Sequence, residues 1–192
     1  MVYRSRESRL QVDGTCDASL WGLFAFGLYA AQDHRLVATM TALQDKLWVK
    51  TDIGGMARYE DDPYHRVSPN LPGNPWFICT LWLADYLVEK SDDAEGLDQA
   101  LHLLSWVADQ ALPSGVLAEQ INPLTGEPLS VSPLTWSHAT YIATIHRLLR
   151  RLLQEPGYPE AGAVFTPYGR REDWIEKLYA QTCDSIHGIC KL

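Results

Sequence analysis

What most constrains this chain is an alternation. Stretches with apolar residues at helical spacing are separated by long segments rich in proline and glycine. Residues 17–32 carry Leu20, Leu23, Phe24 and Leu28 on one stripe, and Asp17 or Thr15 can cap their start. Residues 35–49 are amphipathic, with Leu36, Met40, Leu43 and Leu47 on one face. Gly54 and Gly55 break that pattern. Residues 56–75 are irregular and hold Pro63, Pro69, Pro72, Gly73 and Pro75. Pro75 suits a first helical turn, which predicts a helix over residues 76–89 carrying Phe77, Leu81, Leu83, Ala84 and Leu87. Further helices are predicted over residues 94–111, 133–153 and 174–182, with Pro113, Ser114 and Gly115 ending the first of these. Turn signals stand at Asn122-Pro123 and Thr125-Gly126, and strand patterns are weak throughout. The pattern predicts an all-α protein whose long loops carry the binding groups.

The chain of 192 residues is 46% apolar, enough for one domain with a real core. Its net charge of −8 opposes a nucleic-acid surface or an anionic membrane as partner. Cys16, Cys79, Cys183 and Cys190 form no C-x-x-C pair and read as free thiols of a reducing compartment, with no metal site implied. Residues 1–14 form a charged, polar leader without the apolar run of a signal peptide, and no segment is long and apolar enough to span a bilayer. A cytoplasmic location is expected. His65, His138 and His146 lack metal-ligand spacing and read as structural or solvated. Seven Trp and nine Tyr are a heavy aromatic load, fit either for a helical core or for stacking on flat ligands such as sugar rings.

Three loop segments carry chemistry. The first is Gly55-Met56-Ala57-Arg58-Tyr59-Glu60-Asp61-Asp62, where Arg58 can pair with Glu60, Asp61 or Asp62, or hold a ligand's hydroxyls with its fork of donors. The second is Gly73-Asn74-Pro75-Trp76-Phe77. The third is Ala118-Glu119-Gln120, trailed by Gly126-Glu127-Pro128-Leu129-Ser130 and Leu134-Thr135-Trp136-Ser137. Glu119 is a lone carboxylate among apolar neighbours, a setting that either caps a turn or tunes a general base. Trp76 and Trp136 each open a helix and can pack in the core or face a ligand, whereas Trp82 and Trp106 lie inside helices and read as core. Arg58, Trp76 and Glu119 all lie in loops beside helix ends, so they are expected to converge on one concave face.

In order and spacing, these segments resemble the C-terminal half of family 15 glycoside hydrolases, the glucoamylase and glucodextranase group. The resemblance runs over residues 17–149. It implies an (α/α)6 barrel, here about half of one, formed by residues 15–192. It implies inverting hydrolysis of terminal alpha-linked glucose from glucans or oligosaccharides, without a cofactor. Glu119 falls on the general base that activates the attacking water. Arg58 and Asp62, with Trp76 and Trp136, fall among the substrate contacts, and Ser130 falls on a serine that hydrogen-bonds the base. The family's general acid lies in a tryptophan-glutamate segment upstream of the D-A-S-L-W helix. Here only Glu7 precedes Asp17, in another context. The chain is therefore expected to carry the base side of the site. Maltose turnover by the chain alone is expected to be negligible, and a separately encoded N-terminal half or self-association would complete it. A truncated remnant and a carbohydrate-binding module are the alternatives.

Overall fold

The computed structural model describes residues 2–4, 10–92 and 94–153. The chain divides into two compact units, Met1–Leu149 and Arg150–Leu192, and the described elements belong to the first apart from the end of the last helix. The helix expected over residues 174–182 lies outside the described residues, as do Cys183 and Cys190. Helices dominate. Two short antiparallel ribbons accompany them, β1 (Val2–Arg4) with β2 (Leu10–Val12) and β3 (Gln120–Ile121) with β4 (Pro128–Leu129).

The continuous helix expected over residues 17–32 does not form. Asp17 caps a 3-10 turn, Ala18–Trp21, by accepting the Ser19 N–H, and a single helical turn follows, α1 (Gly22–Ala25). Two glycines explain the break. Gly22 weakens helix propagation, and Gly27 takes a left-handed conformation (φ +73°) that ends the turn. Leu28, read as part of the stripe, is exposed, while Leu20, Leu23 and Phe24 pack on the core.

The remaining helices follow the apolar spacing. In α2 (His34–Leu47) the residues Leu36, Met40, Leu43 and Leu47 are buried on one face, and Asp33 caps its start through the Arg35 N–H. α3 (Phe77–Lys90) is central. Ten of its fourteen residues are buried, too many for one stripe, as befits a helix covered on several sides. It packs on α4 (Ala94–Asp109) and on the 3-10 turn. α5 (Thr135–Leu152) buries Ser137, Thr144 and Leu148. Trp82 and Trp106, read as core, are only half-buried: Trp82 stacks on Trp21 with centroids 5.0 Å apart, and Trp106 donates its indole N–H to the Ile53 carbonyl at 2.6 Å.

Between α2 and α3 an extended segment threads the helix ends. Val49 donates to the Gly55 carbonyl and Ala57 to that of Leu47, both toward the end of α2. On its other side Met56 N–H donates to Thr80 Oγ1 at 2.9 Å, and Trp76 N–H to the Met56 carbonyl at 2.8 Å. Further on, the Arg58 carbonyl accepts Ala18 N–H, and Glu60 N–H reaches the Cys16 carbonyl. Such a bridge carries no periodic pattern of its own, which is why it cannot be read as a strand from sequence.

Asp85, nearly fully buried on α3, accepts Arg147 Nε at 2.6 Å and Trp21 Nε1 at 3.2 Å. Burial pushes its carboxyl above the ordinary value, and Arg147 and Trp21 oppose that only in part. A carboxyl raised on folding contributes its stability fully below its ordinary value of 3.8, and loses it as pH rises through the folded value. Wild type should therefore gain melting temperature relative to Asp85→Asn as the pH is lowered from neutral toward the ordinary carboxylate range. A difference that is flat or reversed across that interval would contradict the assignment. Gly55 supplies a second test. Its φ is +91°, and a Cβ there would lie 2.6 Å from the Trp106 ring and 2.9 Å from Pro75 Cβ. Gly55→Ala should cost more than ~1 kcal/mol in chemical denaturation.

Candidate active site

The Glu119 loop is held backbone group by backbone group. Leu117 donates its N–H to His138 Nε2 at 3.0 Å, and its carbonyl accepts Leu134 N–H. The Ala118 carbonyl accepts the buried Ser137 hydroxyl at 2.7 Å. Glu119 donates to the Val131 carbonyl at 2.9 Å and accepts from Phe77 N–H at 3.3 Å. Gln120 pairs with Leu129 and bridges to Trp76, and Ile121 donates to the Pro75 carbonyl. Glu119, half-buried, is thus fixed between the start of α3, the start of α5 and the β3–β4 hairpin. The hairpin turns where Asn122 and Gly126 signalled it, with Gly126 N–H on the Asn122 carbonyl.

The extended segment delivers Arg58 to the same place. Its Nε and Nη2 make a two-pronged pair with Asp62 at 2.9 Å each, and Asp62 is 1% exposed. Of the three acidic partners open to Arg58, Asp62 is the one it takes; Asp61 binds Arg66, and Glu60 takes Lys46 and the Cys16 N–H. Burial disfavours the guanidinium's charge, and Asp62 more than offsets this, so its pKa is raised and the arginine stays cationic. The guanidinium lies over three rings: Trp76 at 4.5 Å, Tyr59 at 4.9 Å and Tyr64 at 5.3 Å. Trp76 is buried beneath it in the core cluster, the core reading of this ring. Its indole N–H has no hydrogen-bond partner among the described residues.

Arg58 and Asp62 thus lie over Trp76, and the Glu119 backbone is hydrogen-bonded to Phe77, the residue next to Trp76. Two expected residues differ. Ser130 makes no hydrogen bond to Glu119 among the described residues. Its backbone takes φ +63° just after β4, and its hydroxyl bonds that of Tyr64 at 3.2 Å. Trp136 is 53% exposed and belongs to another row of rings, edge-on to Trp82 at 5.8 Å, which in turn stacks on Trp21. Both residues are close to Glu119 along the sequence, but the first turn of α5 directs Trp136 to α3.

Three residues gain a place that motif reading did not assign. Tyr64 packs near Trp76 at 6.0 Å, donates its backbone N–H to Asp62 Oδ1 and links to Ser130. Asn74 and Gln120, 2% and 0% exposed, share a side-chain hydrogen bond at 2.9 Å, and Gln120 Nε2 stands 3.4 Å from Glu119 Oε2. Both amides sit inside the quoted segments, and an Asn directly before Pro75 was the available signal. Tyr64 lies in aperiodic loop and had none. His138 serves the Leu117 backbone, a structural role. Among the described residues no group of three potential metal ligands occurs, and no helix is long and apolar enough to cross a membrane.

Comparison with known proteins joins this geometry to a family. The family model for glycosyl hydrolases family 15 matches residues 14–146. The chain is 34% identical over 145 residues to an uncharacterised glycosyl hydrolase of Methanocaldococcus jannaschii, a match that covers 70% of this chain and 22% of that protein. It is 30% identical over 140 residues to a trehalase of Mycolicibacterium smegmatis, covering 72% and 20%. The chain thus spans about a fifth of the length of these curated relatives. Among solved structures, a bacterial glucoamylase complexed with acarbose superposes with a TM-score of 0.61 at 25% identity, over 71% of this chain and 21% of that one. The helices correspond to part of the (α/α)6 barrel of those glucoamylases. By the span of the family match, this chain belongs to glycosyl hydrolase family 15.

Proposed function

We propose that this chain supplies the water-activating side of an inverting hydrolase for terminal alpha-linked glucose. The observation that carries the reading is the meeting of Arg58, Trp76 and the Glu119 loop in a family 15 chain. Inversion needs a water on the sugar face opposite the leaving group and a carboxylate to take its proton as the new C–O bond forms. Glu119 has that role. Arg58, held by Asp62 above the buried Trp76 ring, donates to adjacent ring hydroxyls. The general acid comes from outside this group of residues, from further protein segment or a separate subunit, within a cytoplasmic setting. A gluco-oligosaccharide or glucan is the substrate, and no cofactor takes part.

The base can be tested apart from the acid with alpha-glucosyl fluoride, because fluoride leaves without a proton. The chain should release fluoride, and Glu119→Gln should slow that release ~10²–10⁴-fold, while maltose is scarcely cleaved. Equal rates for wild type and Glu119→Gln would sink the base assignment. Fluoride release no faster than in buffer would leave a sugar-binding module. Arg58→Lys keeps the charge but loses the fork, and should weaken maltose binding about tenfold. Tryptophan fluorescence reads this directly, since Arg58 lies over Trp76.

A further inference from the structure

Asn74 sits at the end of the proline-rich loop, almost fully buried, and every polar atom of its amide is used. Its Oδ1 accepts Val67 N–H at 3.1 Å. Its Nδ2 donates to the His65 carbonyl at 2.8 Å and to Gln120 Oε1 at 2.9 Å. The two backbone groups decide which end of the amide is which. A backbone N–H only donates and a carbonyl only accepts, so Asn74 has one orientation that satisfies both. That orientation obliges Gln120 to present Oε1 to Asn74. Its Nε2 then faces Glu119 Oε2, as a donor, at 3.4 Å.

We infer that Asn74 is a positioning residue for the base. It sets the donor–acceptor polarity of a buried chain running from Val67 N–H through Asn74 and Gln120 to the Glu119 carboxylate, so that Glu119 is met by a donor and is satisfied as an acceptor. The inference rests on Glu119 being the base. Asn74 touches neither water nor sugar and acts only through Gln120. The Pro63–Pro75 loop, far from the base in sequence, thereby orients it. Both members are buried, so a reversed amide would leave polar atoms opposed with no solvent to relieve them.

Asn74→Asp tests this with almost no change of shape. As a carboxylate the new side chain can accept from Val67 but has no proton for the His65 carbonyl or for Gln120 Oε1. At a pH above its ionisation, located from the variant's pH–stability profile and used for both measurements, the Gln120 amide must therefore turn and face Glu119 with its oxygen. With alpha-glucosyl fluoride, kcat should fall about tenfold or more, the worth of a hydrogen bond to a charged group, while KM holds. A purely structural loss would move folding and KM as well. Proton NMR gives a readout that needs neither turnover nor a variant that folds. In the wild-type chain the Gln120 side-chain NH2 protons should show nuclear Overhauser cross-peaks to the Glu119 methylenes, and a folded Asn74→Asp should lack those cross-peaks. Finding the wild-type Gln120 NH2 against Asn74, or an unchanged kcat in folded Asn74→Asp, would overturn the inference. If Glu119→Gln is itself without effect while the cross-peaks are as expected, the base reading fails and the polarity chain stands.

Discussion

The structure depends on how one short loop is anchored. The run of residues around Glu119 makes no helix, yet its backbone groups are taken up by Phe77, Val131, Leu134, Ser137, His138 and Pro75. Backbone polar groups withdrawn from water need such partners, or each costs about 1–3 kcal/mol. Satisfying them here ties the first turns of α3 and α5 and the β3–β4 hairpin to a single point. A loop so anchored has its backbone, and with it the Glu119 Cα, fixed to the helices around it.

The second anchor is the extended segment from Gly55 to Glu60. It has hydrogen bonds on both sides, to the end of α2 and to α3, and so cannot slide. Gly55 allows it to pass between Trp106 and Pro75, where no side chain fits. The same segment places Arg58 over Trp76, with Asp62 fixing the fork. The pairing commits two of the guanidinium's nitrogens and orients the rest. A cation stacked on rings and braced by a buried carboxylate loses little freedom on meeting a ligand, which favours recognition.

A third feature is the row of rings formed by Trp21, Trp82 and Trp136. It draws one member from the 3-10 turn and the others from α3 and α5, and Asp85 underlies it by binding both Trp21 and Arg147. The row joins three elements through one stacked and one edge-on ring contact rather than interdigitated aliphatic side chains. Trp136, read from its motif as a sugar contact, joins that row at Trp82 and is half exposed.

Apolar spacing between helix-breaking segments is enough to place α2, α3, α4 and α5, as a stripe every 3.6 residues in α2 and as a near-continuous apolar run opened by Pro75 in α3. The quoted segments likewise mark Arg58, Trp76 and Glu119 as candidates, through their resemblance to family 15 and the chemistry each side chain carries. The first helix departs from its stripe because the spacing of Leu20, Leu23, Phe24 and Leu28 does not register what Gly22 and Gly27 do to the backbone. Which acid Arg58 would choose, that Ser130 would turn to Tyr64, and that Asn74 would reach Glu119 through Gln120 were all decided by tertiary structure. Those outcomes hang on hydrogen bonds between side chains that the folded loops bring together. Residue type sets only what a side chain can donate or accept; the fold decides which partner is within reach.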